Sequence, residues 1–177
     1  MQRSIRALGP TLCVLVISVA CSKDWTAKPS QPVSGKLIGT SFTIELPEGM
    51  EKQPADADWS VEWKLPGGGA HAPSVTVADH GSESPHPRRP TSADDELTHV
   101  SPSASEEVVR KEATADGFAI TEQQKSKTYV TAHVVRIAGE KVLTCDAATS
   151  GGVVGAVANF DAVKASLEKI CGSLKIQ

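Results

Sequence analysis

The stretch that decides the fold is Phe42-Thr43-Ile44-Glu45-Leu46-Pro47-Glu48-Gly49. Its apolar side chains, Phe42, Ile44 and Leu46, alternate with polar ones, and this alternation predicts a strand with one buried face. The residues from Pro47 to Gly49 then predict a turn that ends the strand. On this pattern the fold begins with a strand between about Gly35 and Leu46.

The same alternation continues along the chain and predicts five further strands. They are expected at Trp59 to Leu65, Ser74 to Asp79, Phe118 to Glu122, Tyr129 to Ile137 and Lys141 to Ala148. The last two flank Ala138-Gly139-Glu140, which is a strong hairpin signal. Most of the sheet should therefore be antiparallel.

Two helices are predicted between and after these strands. One should run from about Ala104 to Ala115, because Ser103 and Glu106 have the spacing of a capping box. The other should start after Asn159 as N-cap and place apolar residues at helical spacing. Amphipathic helices need a sheet face to cover, so the predicted class is α+β, a mainly antiparallel sheet flanked by helices.

This arrangement resembles the PsbP-like fold. The residues that carry the resemblance are Phe42–Gly49, the hairpin from Tyr129 to Cys145 and the terminal helix ending at Ile170-Cys171-Gly172-Ser173-Leu174. The family includes the extrinsic oxygen-evolving subunit of photosystem II, a Ran-binding nuclear import factor and many bacterial lipoproteins. The resemblance covers residues 35–177 and implies an α/β/α sandwich. Its members do unrelated jobs, so it implies no site residue.

The first twenty residues have the form of a secretory signal peptide. Arg3 and Arg6 precede an apolar run, Leu12–Ala20, that is interrupted only by Ser18. The run is too short to span a membrane, which takes roughly 20 apolar residues. Cys21 after Ala20 resembles a bacterial lipobox, so Cys21 is expected to be the lipidated first residue of the mature protein. Ser18 stands where that motif usually has leucine, which leaves ordinary signal-peptide cleavage as the alternative.

The remainder of the chain divides into a tether and one domain. Residues 21–34 are polar and contain two prolines, which predicts a lipid-anchored tether. Trp25 within it is expected either at the membrane interface or packed on the domain. Residues 35–177 should form the single domain, with a mobile loop at about residues 80–102.

The expected location is the bacterial cell envelope. Ser22 directly after Cys21 is compatible, by resemblance to other bacterial lipoproteins, with an outer-membrane protein that faces the periplasm. The membrane is then reached through the N-terminal lipid, and the protein partner is an unidentified component of the envelope.

The cysteines are consistent with export. Cys13 would be discarded with the signal peptide and Cys21 would be modified, which leaves Cys145 and Cys171 as a pair. Disulfides persist in exported proteins, so a Cys145–Cys171 bond is expected. The alternative is two buried thiols.

Charge and length exclude some classes of protein. The 177 residues, 40% of them hydrophobic, are enough for one domain with a core. The net charge is -3, and removal of residues 1–20, with their two arginines and no acid, would leave about -5. Apart from Arg88-Arg89 there is no basic cluster, which argues against a nucleic-acid partner.

No stretch has the pattern of an active site. His71, His80, His86 and His99 lie in or beside the polar loop, and a solvated loop is expected there rather than a metal site. The glycine-rich segment from Thr149 to Gly155 lacks the ending of a phosphate loop, and Ser150 is not in a nucleophile elbow. Trp59 and Trp63 should belong to the core, with a binding surface as the alternative.

The sequence therefore predicts a lipid-tethered, non-catalytic binding or assembly accessory without a cofactor. Two other functions stay open. One is a periplasmic enzyme whose site is built from scattered residues, and the other is metal capture by the histidine-containing loop.

Overall fold

The computed structural model of the chain describes residues 24–55, 57–66, 72–85, 88–100, 102–149 and 157–177. The predicted signal peptide and Cys21 lie outside the described residues, as do His71, His86 and Ser150. No helix within the described ranges is long and apolar enough to cross a membrane.

The described residues form ten strands and two α-helices after a short 3-10 turn at Trp25–Ala27. The strands are β1 (Ser30–Leu37), β2 (Thr40–Pro47), β3 (Glu51–Lys52), β4 (Ser60–Lys64), β5 (Pro73–Asp79), β6 (Glu106–Thr114), β7 (Gly117–Gln124), β8 (Val130–Ala138), β9 (Lys141–Thr149) and β10 (Lys175–Ile176). The helices are α1 (Ala93–Val100) and α2 (Phe160–Gly172).

The strands form two sheets with antiparallel pairing throughout the described residues. The large sheet has the strand order β3-β4-β5-β9-β8-β7-β6, and the small sheet has the order β1-β2-β10. The predicted α+β class, a mainly antiparallel sheet flanked by helices, is confirmed.

The main core lies on the inner face of the large sheet, where α2 and the small sheet pack side by side. Phe42 of β2 is fully buried and meets the Trp63 ring edge-on at a centroid distance of 6.4 Å. Gly35 is paired opposite Phe42, and a side chain there would overlap the Phe42 ring. The small sheet can therefore close on the core only because that position has no Cβ.

A second apolar cluster lies on the opposite, outer face of the large sheet. Ala93 and Leu97 of α1 pack there on four buried residues, Phe118, Ile120, Val135 and Val142. The large sheet is thus covered by α2 on one face and in part by α1 on the other. This layer arrangement places the polar groups of the outer face beside α1.

The strands that were predicted from alternation are present. The hairpin at 138–141 has the expected tight turn, because Ala138 pairs with Lys141 and Gly139 has a positive φ of 63°. A two-residue turn of this kind matches the twist of antiparallel strands. Trp63 belongs to the core as predicted, whereas Trp59 precedes β4 and is only half-buried.

The predicted boundary between tether and domain at residue 35 is wrong. Trp25 is buried with 7% of its surface exposed, and β1 pairs with β2 from Ser30 onward. The segment looked like a tether because β1 is an edge strand whose residues are mostly exposed. Pro32 is compatible with that position, since an edge strand has one side free of pairing.

The helix predicted at 104–115 is also wrong, because the region forms β6. Glu106 does accept a hydrogen bond from the Ser103 amide at 2.8 Å, but this contact closes a turn ahead of a strand. β6 pairs with β7 along its length, and the pairing outweighs the local helix signal. A register shift between Val108 and Arg110 marks a bulge in this edge strand.

The segment predicted as a mobile loop at 80–102 contains α1. The Asp95 amide donates to the Ser92 hydroxyl at 3.1 Å, which caps the first turn of the helix. Arg88 donates to Glu96 at 2.6 Å and so connects the preceding segment to α1. Among the side chains of α1 that the structure describes, Ala93 and Leu97 are the apolar ones packed on the sheet, and two apolar positions are too few to indicate a helix.

The last helix begins at Phe160 as predicted, although Asn159 does not cap it with its side chain. Asn159 instead has a left-handed backbone with a φ of 54°. The apolar face of α2 is buried at Phe160, Val163, Leu167, Ile170 and Cys171.

The predicted disulfide between Cys145 of β9 and Cys171 of α2 is present, with both residues fully buried. It links the centre of the large sheet to the last turn of the helix that covers it. The sequence separation of 26 residues corresponds to roughly 3.5 kcal/mol of loop-closure entropy removed from the unfolded chain.

Replacing both cysteines with alanine (C145A/C171A) should therefore lower the free energy of unfolding by about 3.5 kcal/mol, as measured by urea denaturation. Wild-type protein unfolded in the presence of a thiol reductant provides the control and should show a similar loss. A double variant as stable as the oxidised wild type would contradict a stabilising disulfide.

Candidate functional site

The outer face of the large sheet presents its side chains in rows that cross the strands. One row contains Ile120, His133, Asp146 and Thr76 from β7, β8, β9 and β5 in turn. The next row begins with Glu122 and Thr131. Because the rows follow the strand pairing, residues far apart in sequence are brought to one place.

His133 and Asp146 form a hydrogen-bonded pair in the middle of this face. The Nδ1 atom of His133 lies 2.6 Å from Oδ1 of Asp146, so Nδ1–H donates to the carboxylate. The Nε2 atom of His133 is buried and has no hydrogen-bond partner among the described residues. Its nearest charged neighbour is Oε1 of Glu96 at 4.0 Å. The pair thus orients the imidazole and leaves one nitrogen for another contact.

Helix α1 supplies the acidic group on the other side of His133. Glu96 is buried with 7% of its surface exposed, and its second oxygen accepts from Arg88 at 2.6 Å. Arg88 also donates to the main-chain oxygen of Asp95 at 3.1 Å. Both charges of this ion pair are therefore held in place by protein groups.

The charged neighbours of His133 determine its protonation. Burial of the imidazole lowers its pKa, but the charge and hydrogen bond of Asp146 and the charges of Glu96 and Glu122 outweigh burial. The net result is a pKa of His133 raised above its ordinary value. The surroundings of His133 therefore favour the protonated imidazole more than water does.

The surroundings of Glu122 disfavour the charged form of its carboxyl group. Burial raises the pKa of its carboxyl group, and the nearby charges of Glu106 and Glu96 raise it further, while His133 acts against them. The Oε1 atom of Glu122 is buried and accepts no hydrogen bond within the described part of the chain. A buried polar atom without a hydrogen bond lowers the stability of the fold by about 1–3 kcal/mol, so its presence calls for an explanation.

These groups line one cleft of about 570 Å³ between α1 and the outer sheet face. Its polar walls are the four carboxylates Glu96, Glu106, Glu122 and Asp146 together with Arg88, His80 and His133. Its apolar and aromatic walls are Trp59, Tyr129, Leu97, Ile120, Ala78 and Pro90. This volume and mixture of walls are typical of small-ligand sites.

Of the histidines noted in the sequence, the two that the structure describes, His80 and His99, do not form a metal site. Nδ1 of His80 lies 2.8 Å from the Arg88 carbonyl oxygen and Nε2 lies 3.3 Å from the Thr144 hydroxyl, so both nitrogens are engaged. His99 is exposed on α1. His71 and His86 are not among the described residues. In the described ranges no three potential donors are grouped to hold a metal.

The other predicted site residues are distributed as follows. Cys145 and Cys171 are buried in the main core as a disulfide, remote from solvent. Cys21 lies outside the described residues. Trp59, expected in the core, lines the cleft, while Trp63 packs in the core.

Sequence reasoning missed His133, Asp146 and Glu122. A signal was available, because the two-residue turn between Ala138 and Lys141 fixes the register of the hairpin. Counting back from that turn places His133 directly opposite Asp146 on the face away from Cys145. Glu122 could not be placed in this way, since the link between β7 and β8 is longer.

Comparison with solved structures gives the class of fold. The chain superposes on a mutant of the protein Mog1 with a TM-score of 0.54 and 10% sequence identity, covering 82% of this chain and 95% of that one. A protein of Bacteroides thetaiotaomicron VPI-5482 matches with a TM-score of 0.40 and 13% identity, over 77% of this chain and 45% of that one. No family model and no curated protein matches the sequence.

The likeness to Mog1 confirms the Mog1/PsbP-like α+β fold that the sequence pattern indicated. At 10% identity it carries the fold and no site residue. The cleft must therefore be interpreted from its own chemistry.

The raised pKa of His133 leads to a pH-dependent stability. A histidine has a pKa of about 6.5 when unfolded, so the contribution of the protonated imidazole is fully present below that pH. It is lost as the pH rises through the higher pKa of the folded protein. The stability difference between wild type and His133→Gln should therefore be constant below about pH 6 and shrink as the pH rises above about 6.5, as measured by urea denaturation.

Replacing Asp146 with asparagine should lower the pKa of His133, as followed by NMR titration of its ring protons. Glu112→Gln, an exposed change on β6, is the matched control and should leave that titration unchanged. A His133 that titrates at or below the ordinary value in the wild type would contradict the assignment.

Proposed function

We propose that this chain is a lipid-anchored protein of the bacterial cell envelope that binds a ligand in the cleft between α1 and the outer sheet face, without catalysing a reaction. The observation that carries the binding role is a pair of buried atoms, His133 Nε2 and Glu122 Oε1, that have no hydrogen-bond partner among the described residues and lie beside a cleft of about 570 Å³. Polar atoms that the fold leaves unsatisfied are suited to a ligand that satisfies them.

The anchoring part of the proposal rests on Cys21 and on the disulfide. The apolar run before Cys21 has the form of a signal peptide, and a buried disulfide is typical of exported proteins. More than one acyl chain on Cys21 would give stable membrane binding. Ser22 supports an outer-membrane location facing the periplasm, with an envelope protein as a further partner.

The distance to the membrane is limited by the position of Trp25. Trp25 is buried in the domain and lies four residues after Cys21. Four residues reach at most about 14 Å. A lipid on Cys21 would therefore hold the domain close to the bilayer surface.

One observation favours an enzyme as the second candidate. A histidine oriented by an aspartate, next to a glutamate of raised pKa, can perform general acid–base chemistry. A nucleophilic mechanism would need a hydroxyl or thiol bonded to His133 Nε2, and that atom has no such partner in the described structure. Binding is therefore favoured. A turnover abolished by His133→Gln would reverse this preference.

The anchor is tested with radiolabelled palmitate in intact cells. Cys21→Ala should abolish incorporation of label and move the protein from the membrane pellet to the soluble fraction, because the acylated residue is removed. Cys13→Ala is the matched control and should keep both label and location, since Cys13 lies in the segment expected to be cleaved. Unlabelled, soluble wild-type protein would rule out lipid anchoring.

The cleft is tested with a photo-crosslinking amino acid at Thr131, which lines it. Irradiation of cells should give an adduct at Thr131, identified by the intact mass of the protein. The same amino acid at Ala165, exposed on α2 on the other side of the large sheet, is the control and should give none. Equal adducts at both positions would remove the cleft from the proposal.

A further inference from the structure

The charges that face the cleft do not balance. Of its four carboxylates, Glu96 is paired with Arg88 at 2.6 Å and Asp146 with His133 at 2.6 Å. Glu106 accepts one hydrogen bond from the Ser103 amide, which does not neutralise its charge. Among the described residues, Glu106 and Glu122 therefore remain as two carboxylates without an ion pair of their own, both at the β6–β7 end of the cleft.

The two carboxylates affect one another. The charge of Glu106 raises the pKa of Glu122, after burial, which is the larger cause. A cation at this end would favour ionised Glu122 and supply a donor to its unpartnered Oε1. In the described part of the chain, Arg88 and His133 make their ion pairs with other carboxylates, and the charge of His133 acts on Glu122 only from beyond ion-pair distance.

An aromatic residue lines the same cleft as these acids. Tyr129 lines the cleft and comes two residues before Thr131, which pairs directly with Glu122. The Gln124 amide donates to the Tyr129 carbonyl oxygen at 3.0 Å, so the β7–β8 register continues to Tyr129 and places it diagonally from Glu122. A carboxylate beside an aromatic face suits an organic ammonium group, which gains a hydrogen bond and a cation–π contact. Calcium or magnesium would instead require six or more oxygen ligands.

The cleft is elongated across the sheet. Its lining extends from Trp59, just before β4, to Glu106 at the start of β6. Six neighbouring strands at about 4.8 Å spacing cover roughly 24 Å between these ends. An extended aliphatic chain can lie along Ile120 and Leu97 while its charged end reaches Glu122.

We propose that the cleft binds a small, elongated organic cation, a diamine or polyamine with a primary ammonium group, and that Glu122 and Tyr129 hold this group. The assignment rests on the proposed binding function and names its ligand class. Negative charge at the cleft attracts such a ligand, so binding weakens as salt screens it.

Isothermal titration of the full-length protein in detergent tests the assignment. Cadaverine and spermidine should bind with one-to-one stoichiometry, whereas the neutral pentanediol of the same length and the dicarboxylate glutarate should not. Glu122→Gln should weaken binding by roughly tenfold or more, because it removes a charged hydrogen bond. Tyr129→Leu should weaken it by several-fold. Glu112→Gln is the control, an exposed acid outside the cleft, and should bind like wild type.

Each other result overturns the ammonium assignment. Equal binding of pentanediol would indicate a polyhydroxyl ligand, and unchanged binding by Glu122→Gln would place the amine elsewhere. If no amine binds while the Thr131 adduct persists in cells, the ligand class is wrong and the proposed function stands. If both are absent, both proposals fail.

Discussion

The register of the β8–β9 hairpin is the constraint on which the core and the cleft both depend. With Ala138 opposite Lys141, Cys145 faces α2 and its neighbour Asp146 faces the outer side. A slip of one residue would exchange the two faces, exposing the cysteine and burying the carboxylate. The disulfide excludes that slip, because Cys145 can reach Cys171 only from the inner face. One covalent bond in the core thus also fixes the position of the acid that orients His133.

The sequence predicted the strands that bury one face and missed those that bury little. β2, β4 and β5 alternate over most of their length, whereas β1 and β6 are edge strands with mostly exposed side chains. Before β6, Ser103 and Glu106 form the hydrogen bond that usually marks the start of a helix, so a helix was predicted where a strand forms. Helix α1 was missed for a different reason, since few of its residues face the sheet and prolines precede it. The structure of these segments depends on the strands they pair with or pack against, and a single sequence does not show which strands those are.

The hairpin turn could have paired His133 with Asp146, but the rest of the candidate site could not be predicted from the sequence, for a related reason. His133 sits at a polar position of an alternating strand, where a solvated side chain is the ordinary expectation. Its partners come from β7, β9 and α1, so only the assembled sheet shows that it is surrounded by acids. The disulfide, in contrast, could be predicted without a structure. Two cysteines remain after the signal peptide and Cys21 are set aside, and cysteines of an exported protein usually pair. Cys21 stays a prediction from sequence.

The bulge in β6 has a consequence for self-association. This edge strand exposes Val108 and Val109, and an apolar edge is a ready template for a strand from another copy. The register shift at that point interrupts the row of unpaired backbone groups, and the Arg110–Glu112 ion pair lies directly beside it. A second copy could not add along β6 in one continuous register. The fold thereby resists edge-to-edge aggregation where many copies are crowded together.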